Sequence, residues 1–499
     1  MDSVYKNMDY CMTEFSPLTD ARCDTSIIVP DSQCDIVKVV SVKAFPTICE
    51  TKPENGSVTV TGQVKFNVLY IGEEDSSRLC SLFASVPFSH SVPAFVSDNC
   101  SPMAQICSYE CEYNLINSRR IKVASQMRIA LTLFKNNRVS LLSEAKNAET
   151  KSKTISYLKL CAACCKNISI TESADLPQGK DSIKQILSYD ASVSDYSYKI
   201  LNNKVILKGN VTVNLMYNSE SGITNAGATV PFTEVLEVEG VSPEKELDIS
   251  LNISDCDIRS DTDLKGEERM IDINLIITAS ITAFLRESID AVTDLYVPKK
   301  AIECEYSPLK TYTTLKCCRE EEFVKETVCV GSISAPISKV IDTRTDICTV
   351  TFDKTTSLIT IAGSVTVLYC TSDSSAVNSY TGKITVSHKT AFINPENITS
   401  SIKHSGFVIS GENTVELRLS ILISAICKET IDLRCVSHCI ETDYTPEKRA
   451  SVIVSFVNEP LSLWDVAKKY NVSLKALSSA NNLDENSPLS KGTRLIIPR

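Results

Sequence analysis

The strongest constraint on this 499-residue chain is that it repeats itself. Three times an isoleucine in a short apolar segment is followed by a glycine in an alternating run. The pairs are Ile36 and Gly62, Ile183 and Gly209, and Ile337 and Gly363, with an offset of 26 residues in each. The glycine runs align as Val58-x-Val60-x-Gly62-x-Val64-x-Phe66-x-Val68-x-Tyr70, Val205-x-Leu207-x-Gly209-x-Val211-x-Val213-x-Leu215-x-Tyr217 and Ile359-x-Ile361-x-Gly363-x-Val365-x-Val367-x-Tyr369. Alternation at period two marks a half-buried strand, and a glycine inside one marks a bulge or the close approach of another backbone. Copies one and two then share Val86-Pro87-Phe88 and Val230-Pro231-Phe232, whereas copy three carries Val386-Ser387-His388 there.

Each copy closes on a long alternating run: Ile121 to Leu133, Ile271 to Ala283 and Val415 to Cys427. Arg286-Glu287-Ser288-Ile289-Asp290 and Lys428-Glu429-Thr430-Ile431-Asp432 read as charged turns leading to return strands over Ala291 to Val297 and Leu433 to Ile440. The copies lie 147 and then 154 residues apart, long enough for each to hold its own core. Long amphipathic strands with few helical patterns predict a mainly β chain of three tandem antiparallel, sandwich-like repeat domains. The expected division is an N-terminal tail over 1–14, repeats over 15–155, 156–310 and 311–445, and a small module over 450–499. Many long strands mean many edges, which must be covered or used for assembly, self-association included.

Charge and composition narrow the function. With 51 Lys+Arg against 61 Asp+Glu the chain is acidic and has no basic block, which argues against nucleic acid as a partner. The start, Met1-Asp2-Ser3-Val4-Tyr5-Lys6-Asn7, lacks the pattern of an export signal, and no apolar run is long enough for a membrane span, so a cytoplasmic location is expected. The 21 cysteines then read as reduced thiols, and Cys161-x2-Cys164 lacks the second ligand pair that a structural zinc site needs. No metal, no cofactor and no catalytic residue is expected. His90, His388, His404 and His438 stand apart, pairs such as Asp261 and Asp263 suit a solvated loop, and no nucleotide-binding or hydrolase motif is found.

The last fifty residues change character. Val452-x-Val454-x-Phe456 alternates as a strand. Ser462 and Asp465 form a capping pair ahead of a helix whose Leu463, Val466, Ala467 and Tyr470 make one apolar stripe. Ser473 can cap a second helix, Asn481-Asn482 suits its left-handed end, and Leu495-Ile496-Ile497-Pro498 closes as a strand, giving a βααβ order. Ser462 to Ser473, Leu477, Asn481-x-Leu483 and Lys491 to Pro498 resemble a LysM domain. That resemblance implies binding of N-acetylglucosamine polymers such as peptidoglycan through the loops before the first helix and after the second. The Gly-Asp-Thr or Gly-Asp-Ser usual in the first loop is replaced here by Pro460-Leu461-Ser462. The candidate partner- or glycan-binding residues are Phe456, Pro460, Leu461, Ser462, Trp464, Asn481 and Asn482.

The repeats, with Ile183 through Gly209 to Tyr217 and the Pro231-Phe232 pair, resemble the SPOCS domains of spore-forming Firmicutes. Tandem SPOCS domains ending in a LysM module are similar to clostridial spore-coat morphogenesis proteins that bind the coat-basement ATPase. The resemblance implies a non-enzymatic scaffold in the mother-cell cytoplasm, at the forespore surface and spore coat. There it would link the forespore to that polymerising morphogenetic ATPase through protein–protein contacts. The other reading is a peptidoglycan-binding protein of the cell wall or cortex.

Overall fold

The computed structural model describes residues 2–73, 79–97, 100–331, 335–442, 453–485 and 487–498. The expected boundary between the third repeat and the module falls in 443–452, outside the described residues, as does Val452. The first unit comprises β1 (Ser3–Phe15), β2 (Thr19–Ile28), β3 (Ile36–Glu54), β4 (Ser57–Gly72), β5 (Leu79–Pro93), β6 (Ser101–Asn117) and β7 (Arg120–Ala145). The second comprises β8 (Glu149–Asp175), β9 (Gln185–Leu201), β10 (Lys204–Ser219), β11 (Gly222–Glu237), β12 (Glu246–Thr262) and β13 (Glu268–Tyr296). The third comprises β14 (Ala301–Cys329), β15 (Ile337–Asp353), β16 (Leu358–Thr371), β17 (Ser374–Lys389), β18 (Glu396–Ile409) and β19 (Thr414–Thr442). All the pairing is antiparallel. The sheet β3-β4-β5 faces β2-β7-β6, β9-β10-β11 faces β8-β13-β12, and β15-β16-β17 faces β14-β19-β18.

The repeated glycines have one physical cause. A Cβ on Gly62 would lie 2.0 Å from the Thr47 carbonyl oxygen, on Gly209 2.6 Å from that of Asp195, and on Gly363 2.1 Å from that of Asp346. Each sits beside a register shift in its neighbouring strand, so the bulge presses the other backbone against the position where a side chain would begin. Phe88 and Phe232 lie directly opposite Gly62 and Gly209, and their rings fill the space the glycine leaves. In copy three Ile384 is opposite Gly363, so the counterpart of Val-Pro-Phe is Gly382-Lys383-Ile384, four residues before the Val386-Ser387-His388 expected from sequence.

Three expectations need correction. The tail expected over 1–14 is instead a strand from Ser3 on: β1 pairs with β7 from Ser3↔Ala145 to Phe15↔Thr132, and Met8 and Cys11 are fully buried. In units two and three the corresponding strand, β8 or β14, runs unbroken. In unit one it is interrupted at Ser16-Pro17-Leu18, where proline cannot donate to the ladder. Second, β8 and β14 pair with β13 and β19, so units two and three begin at Glu149 and Ala301, ahead of the expected 156 and 311. Third, the charged segments are not turns. β13 and β19 each continue for 29 residues through Arg286 and Lys428, so Ala291 to Val297 and Leu433 to Ile440 are the far halves of the same strands.

What resembles a turn is a change of face. Along β13, alternate residues from Ile271 to Ala283 are buried in the second sandwich. The register shifts between Ala283 and Phe284, and beyond it buried residues serve a different core. Phe284 meets Cys11, Phe134, Leu158 and Leu315. Further along, Ile289 and Ala291 meet Met8, Leu141, Ile155, Leu309 and Cys435. Both clusters draw on all three units. The paired long strands β1 with β7, β8 with β13 and β14 with β19 therefore pack together around one hub.

A second hub joins the other sheets. Val40, Leu187 and Ile341, each four residues after its repeat's isoleucine, cluster with Leu69, Met216 and Leu368, each just before its repeat's tyrosine. Side-chain amides tie the units across it: the buried Asn67 Nδ2 donates to the Leu187 carbonyl at 3.0 Å, the buried Asn218 Nδ2 to that of Leu79 at 2.8 Å, and Asn225 Nδ2 to that of Ile341 at 3.0 Å. The repeats are thus three sandwiches closed on one another with approximate threefold likeness, each with its own core and all sharing two more.

Candidate functional site

The C-terminal module starts from β20 (Ile453–Phe456), which pairs with β23 (Arg494–Ile497), and a short bridge joins β21 (Leu461–Ser462) to β22 (Pro488–Leu489). Between them lie α1 (Leu463–Tyr470) and α2 (Leu474–Asn481). The predicted capping box is formed: the Asp465 amide donates to Ser462 Oγ at 3.2 Å, and the Ser462 amide returns to Asp465 Oδ2 at 3.1 Å. Asn482 closes α2 in the left-handed conformation.

Ser473 heads α2 without capping it through its own side chain. Its hydroxyl instead donates to Glu149 Oε1 at 2.8 Å, and the Leu474 amide donates to the same oxygen at 3.3 Å. The carboxylate of a residue more than three hundred positions away thus serves the helix N-terminus, where the exposed amides and the helix dipole favour negative charge.

Glu149 belongs to one end of the second unit, and that end holds the module. Trp464, predicted as a site residue, is 7% exposed. Its ring meets Tyr296 edge to face with centroids 5.1 Å apart, and its Nε1 donates to Asp294 Oδ2 at 2.9 Å. Such an aromatic pair adds about 0.5–1.5 kcal/mol beyond the area it buries. Lys468 pairs with Asp294 Oδ1, which also accepts from the Tyr306 hydroxyl of the third unit at 3.1 Å. Burial pushes the Asp294 carboxyl up, but the hydrogen bonds from Lys468 and Trp464, with the Lys468 charge, outweigh it and hold it below its ordinary value. The Tyr296 hydroxyl donates to the Val472 carbonyl at 2.9 Å; burial, then Glu149, raise its pKa. Asn471 links both ways, accepting from the Lys299 amide at 3.1 Å and donating to the Lys300 carbonyl at 3.1 Å.

The structure therefore divides the seven predicted site residues. Trp464 is spent on the body of its own chain. Ser462 caps α1. Asn481 clamps the closing strand, accepting from the Ile496 amide at 2.6 Å and donating to the Ile496 carbonyl at 2.7 Å. Phe456, Pro460, Leu461 and Asn482 remain exposed, Phe456 at 61% and Leu461 at 40%. Sequence reasoning missed Glu149, Asp294 and Tyr296, the residues of the second unit that hold the module. A signal was present: the first strand pair of the units is Ser3↔Ala145, Glu149↔Tyr296 and Ala301↔Thr442, so only the second presents an acid and an aromatic.

Residues 35–118 and 182–260 match the family described as SipL, SPOCS domain, and residues 462–498 match the LysM domain family. These are SPOCS domains followed by a LysM domain. The SPOCS matches cover β3 into the turn after β6 and the segment leading into β9 through most of β12; in the third unit β15 to β18 repeat the same order and pairing. No curated protein and no solved structure matches the chain. Both families are non-catalytic, and the SPOCS match makes this a sporulation-related chain. No helix among the described residues is long and apolar enough to cross a membrane.

Proposed function

We propose that this SPOCS–LysM chain is a non-enzymatic scaffold of spore-envelope assembly. It sits at the forespore surface on the mother-cell side and joins it to the polymerising coat-basement ATPase by protein–protein contacts. The observation that carries this reading is the chemistry of the exposed LysM loop. A glycan site needs polar groups placed to bond sugar hydroxyls. Here Pro460 and Leu461 stand where the family usually has glycine and aspartate, and with Phe456 they expose an apolar surface suited to a protein.

The closed ring of repeats supports the same reading. Its amides and apolar side chains are engaged in holding three units as one body, and the LysM domain is presented from one corner of it by Asp294 and Tyr296. That arrangement suits a rigid platform for a partner. The LysM match supports peptidoglycan as the competing ligand.

The test uses the full chain with Pro460→Asp and Leu461→Asp together. Both positions are exposed, so folding should be preserved. Capture of the coat-basement ATPase should fall at least about tenfold, the loss of about 1.4 kcal/mol, while sedimentation with purified peptidoglycan stays at background for both proteins. Sedimentation of the unmodified chain with peptidoglycan, and no capture of the ATPase, would replace this reading with the glycan one.

A further inference from the structure

Among the described residues, Cys34 with Cys80 and Cys304 with Cys439 lie sulfur to sulfur across different strands or segments, and Cys427 also meets Cys318 side chain to side chain. Cys34, in the connector between β2 and β3, places its Sγ 3.4 Å from that of Cys80 on β5. This contact is accommodated by the fold: a Cβ on Gly72 would fall 2.2 Å from Cys34 Sγ, so the sulfur occupies the space that a glycine leaves. The connector is pinned there by the Tyr70 hydroxyl, which donates to Gln33 Oε1 at 3.0 Å and to the Cys34 carbonyl at 3.2 Å. In the third unit, Cys304 of β14 and Cys439 of β19 are register partners, and their sulfurs are 3.6 Å apart.

We propose that Cys34 with Cys80 and Cys304 with Cys439 are paired-thiol sites that close to disulfides by exchange with a low-molecular-weight disulfide. The inference is independent of what the LysM domain binds. Each pair need shorten by only about 1.5 Å to reach the roughly 2.0 Å of a sulfur–sulfur bond. In the first step the thiolate of one cysteine attacks the small disulfide, forming a mixed disulfide and releasing one small thiol. The partner cysteine, losing its proton, then attacks the protein sulfur of that mixed disulfide and expels the second small thiol. Two protein thiols are oxidised and one small disulfide is reduced to two thiols. Burial, with Cys304 adding to it, pushes the Cys439 thiol up to about 12, so closure there should quicken as pH rises.

The consequences differ by site. The first closure fastens the connector into the first sandwich to the edge strand β5. The second staples β14 to β19 two residues from Tyr306, whose hydroxyl bonds Asp294 at the LysM junction. Oxidation there would consolidate the corner that holds the module.

The experiment treats the folded full chain with glutathione disulfide, alkylates residual thiols with N-ethylmaleimide, digests without reductant and identifies linked peptides by mass spectrometry. Cys34–Cys80 and Cys304–Cys439 should be the two most abundant cysteine–cysteine links, while the exposed Cys49 carries glutathione or the alkylating reagent. The Cys80→Ser variant should leave Cys34 as an adduct and Cys304–Cys439 intact. Adducts on all four cysteines without a link, or links chiefly to other cysteines, would overturn the proposal. So would loss of Cys304–Cys439 on changing Cys80.

Discussion

The three repeats are alike where they meet and unlike where they end. At the second hub, Val40, Leu187 and Ile341 occupy equivalent positions and do the same work. At the ends of the long strands, Ser3 with Ala145 and Ala301 with Thr442 offer small side chains, whereas Glu149 with Tyr296 offers a carboxylate and a ring. The module docks at that one end. Repetition therefore builds a symmetric body, and the departure from repetition decides where the single LysM domain is held.

The largest expected effect comes from the shared part. Leu187 is fully buried between units, and Leu187→Ala should cost about 2–5 kcal/mol through lost burial and the cavity left behind. Because the hub is common, calorimetry should show one cooperative transition moving to lower temperature. A second, unmoved transition from independent units would break the comparison. Next is the glycine: Gly62→Ala, with its Cβ against the Thr47 carbonyl, should destabilise by about 1–3 kcal/mol, read as a lower denaturant midpoint. Substitution at Gly363 should cost a similar amount, because the backbone contact is as close there.

The unlike ends make smaller and more selective predictions. Tyr296→Ala should release the LysM domain while leaving the body's melting temperature nearly unchanged, and Ala145→Ser at the equivalent end should change neither docking nor that temperature. Release would be read as faster amide exchange in α1. Lowering the pH should act in the same direction. The depressed Asp294 carboxyl contributes stability that is fully present above its ordinary value of 3.8 and is lost as pH falls through the folded value, so docking should weaken only in strong acid.

The third unit adds a smaller effect of opposite sign. His388, whose ring nitrogens lie 2.6 Å from Glu320 and from Glu322, joins β17 to β14. Burial lowers its affinity for a proton, but the hydrogen bonds that the ring donates to Glu320 and Glu322 prevail and raise its pKa. Its contribution is present in full below the ordinary 6.5 and should fade as pH rises through the higher folded value. His388→Gln should remove that part of the alkaline loss of stability.

The sandwiches and the module were legible because each is written as a period: two for the strands, and i, i+3, i+4, i+7 for α1. The hubs were not, because a period reports one buried face, whereas the hubs bury the second. Val68-Leu69-Tyr70-Ile71 is apolar without alternation, the mark of a strand covered on both sides, and all four residues are buried. The charged run Arg286 to Asp290 looks like a turn because a bulge at Ala283 exchanges the buried face, and polar residues then fall where apolar ones were expected. At the site, the capping pair and Asn482 were readable locally. The docking of Trp464 against the second unit was not, since its acceptor Asp294 lies 170 positions away.

Trp464 is the single tryptophan of the chain, so its fluorescence reads the central claim directly. At neutral pH the account predicts a blue-shifted emission poorly quenched by acrylamide in the full chain, with Tyr296→Ala red-shifting it and raising quenching several-fold. Equal, solvent-like emission and quenching in both proteins would contradict the docked LysM domain and the corner of the body that is argued to hold it.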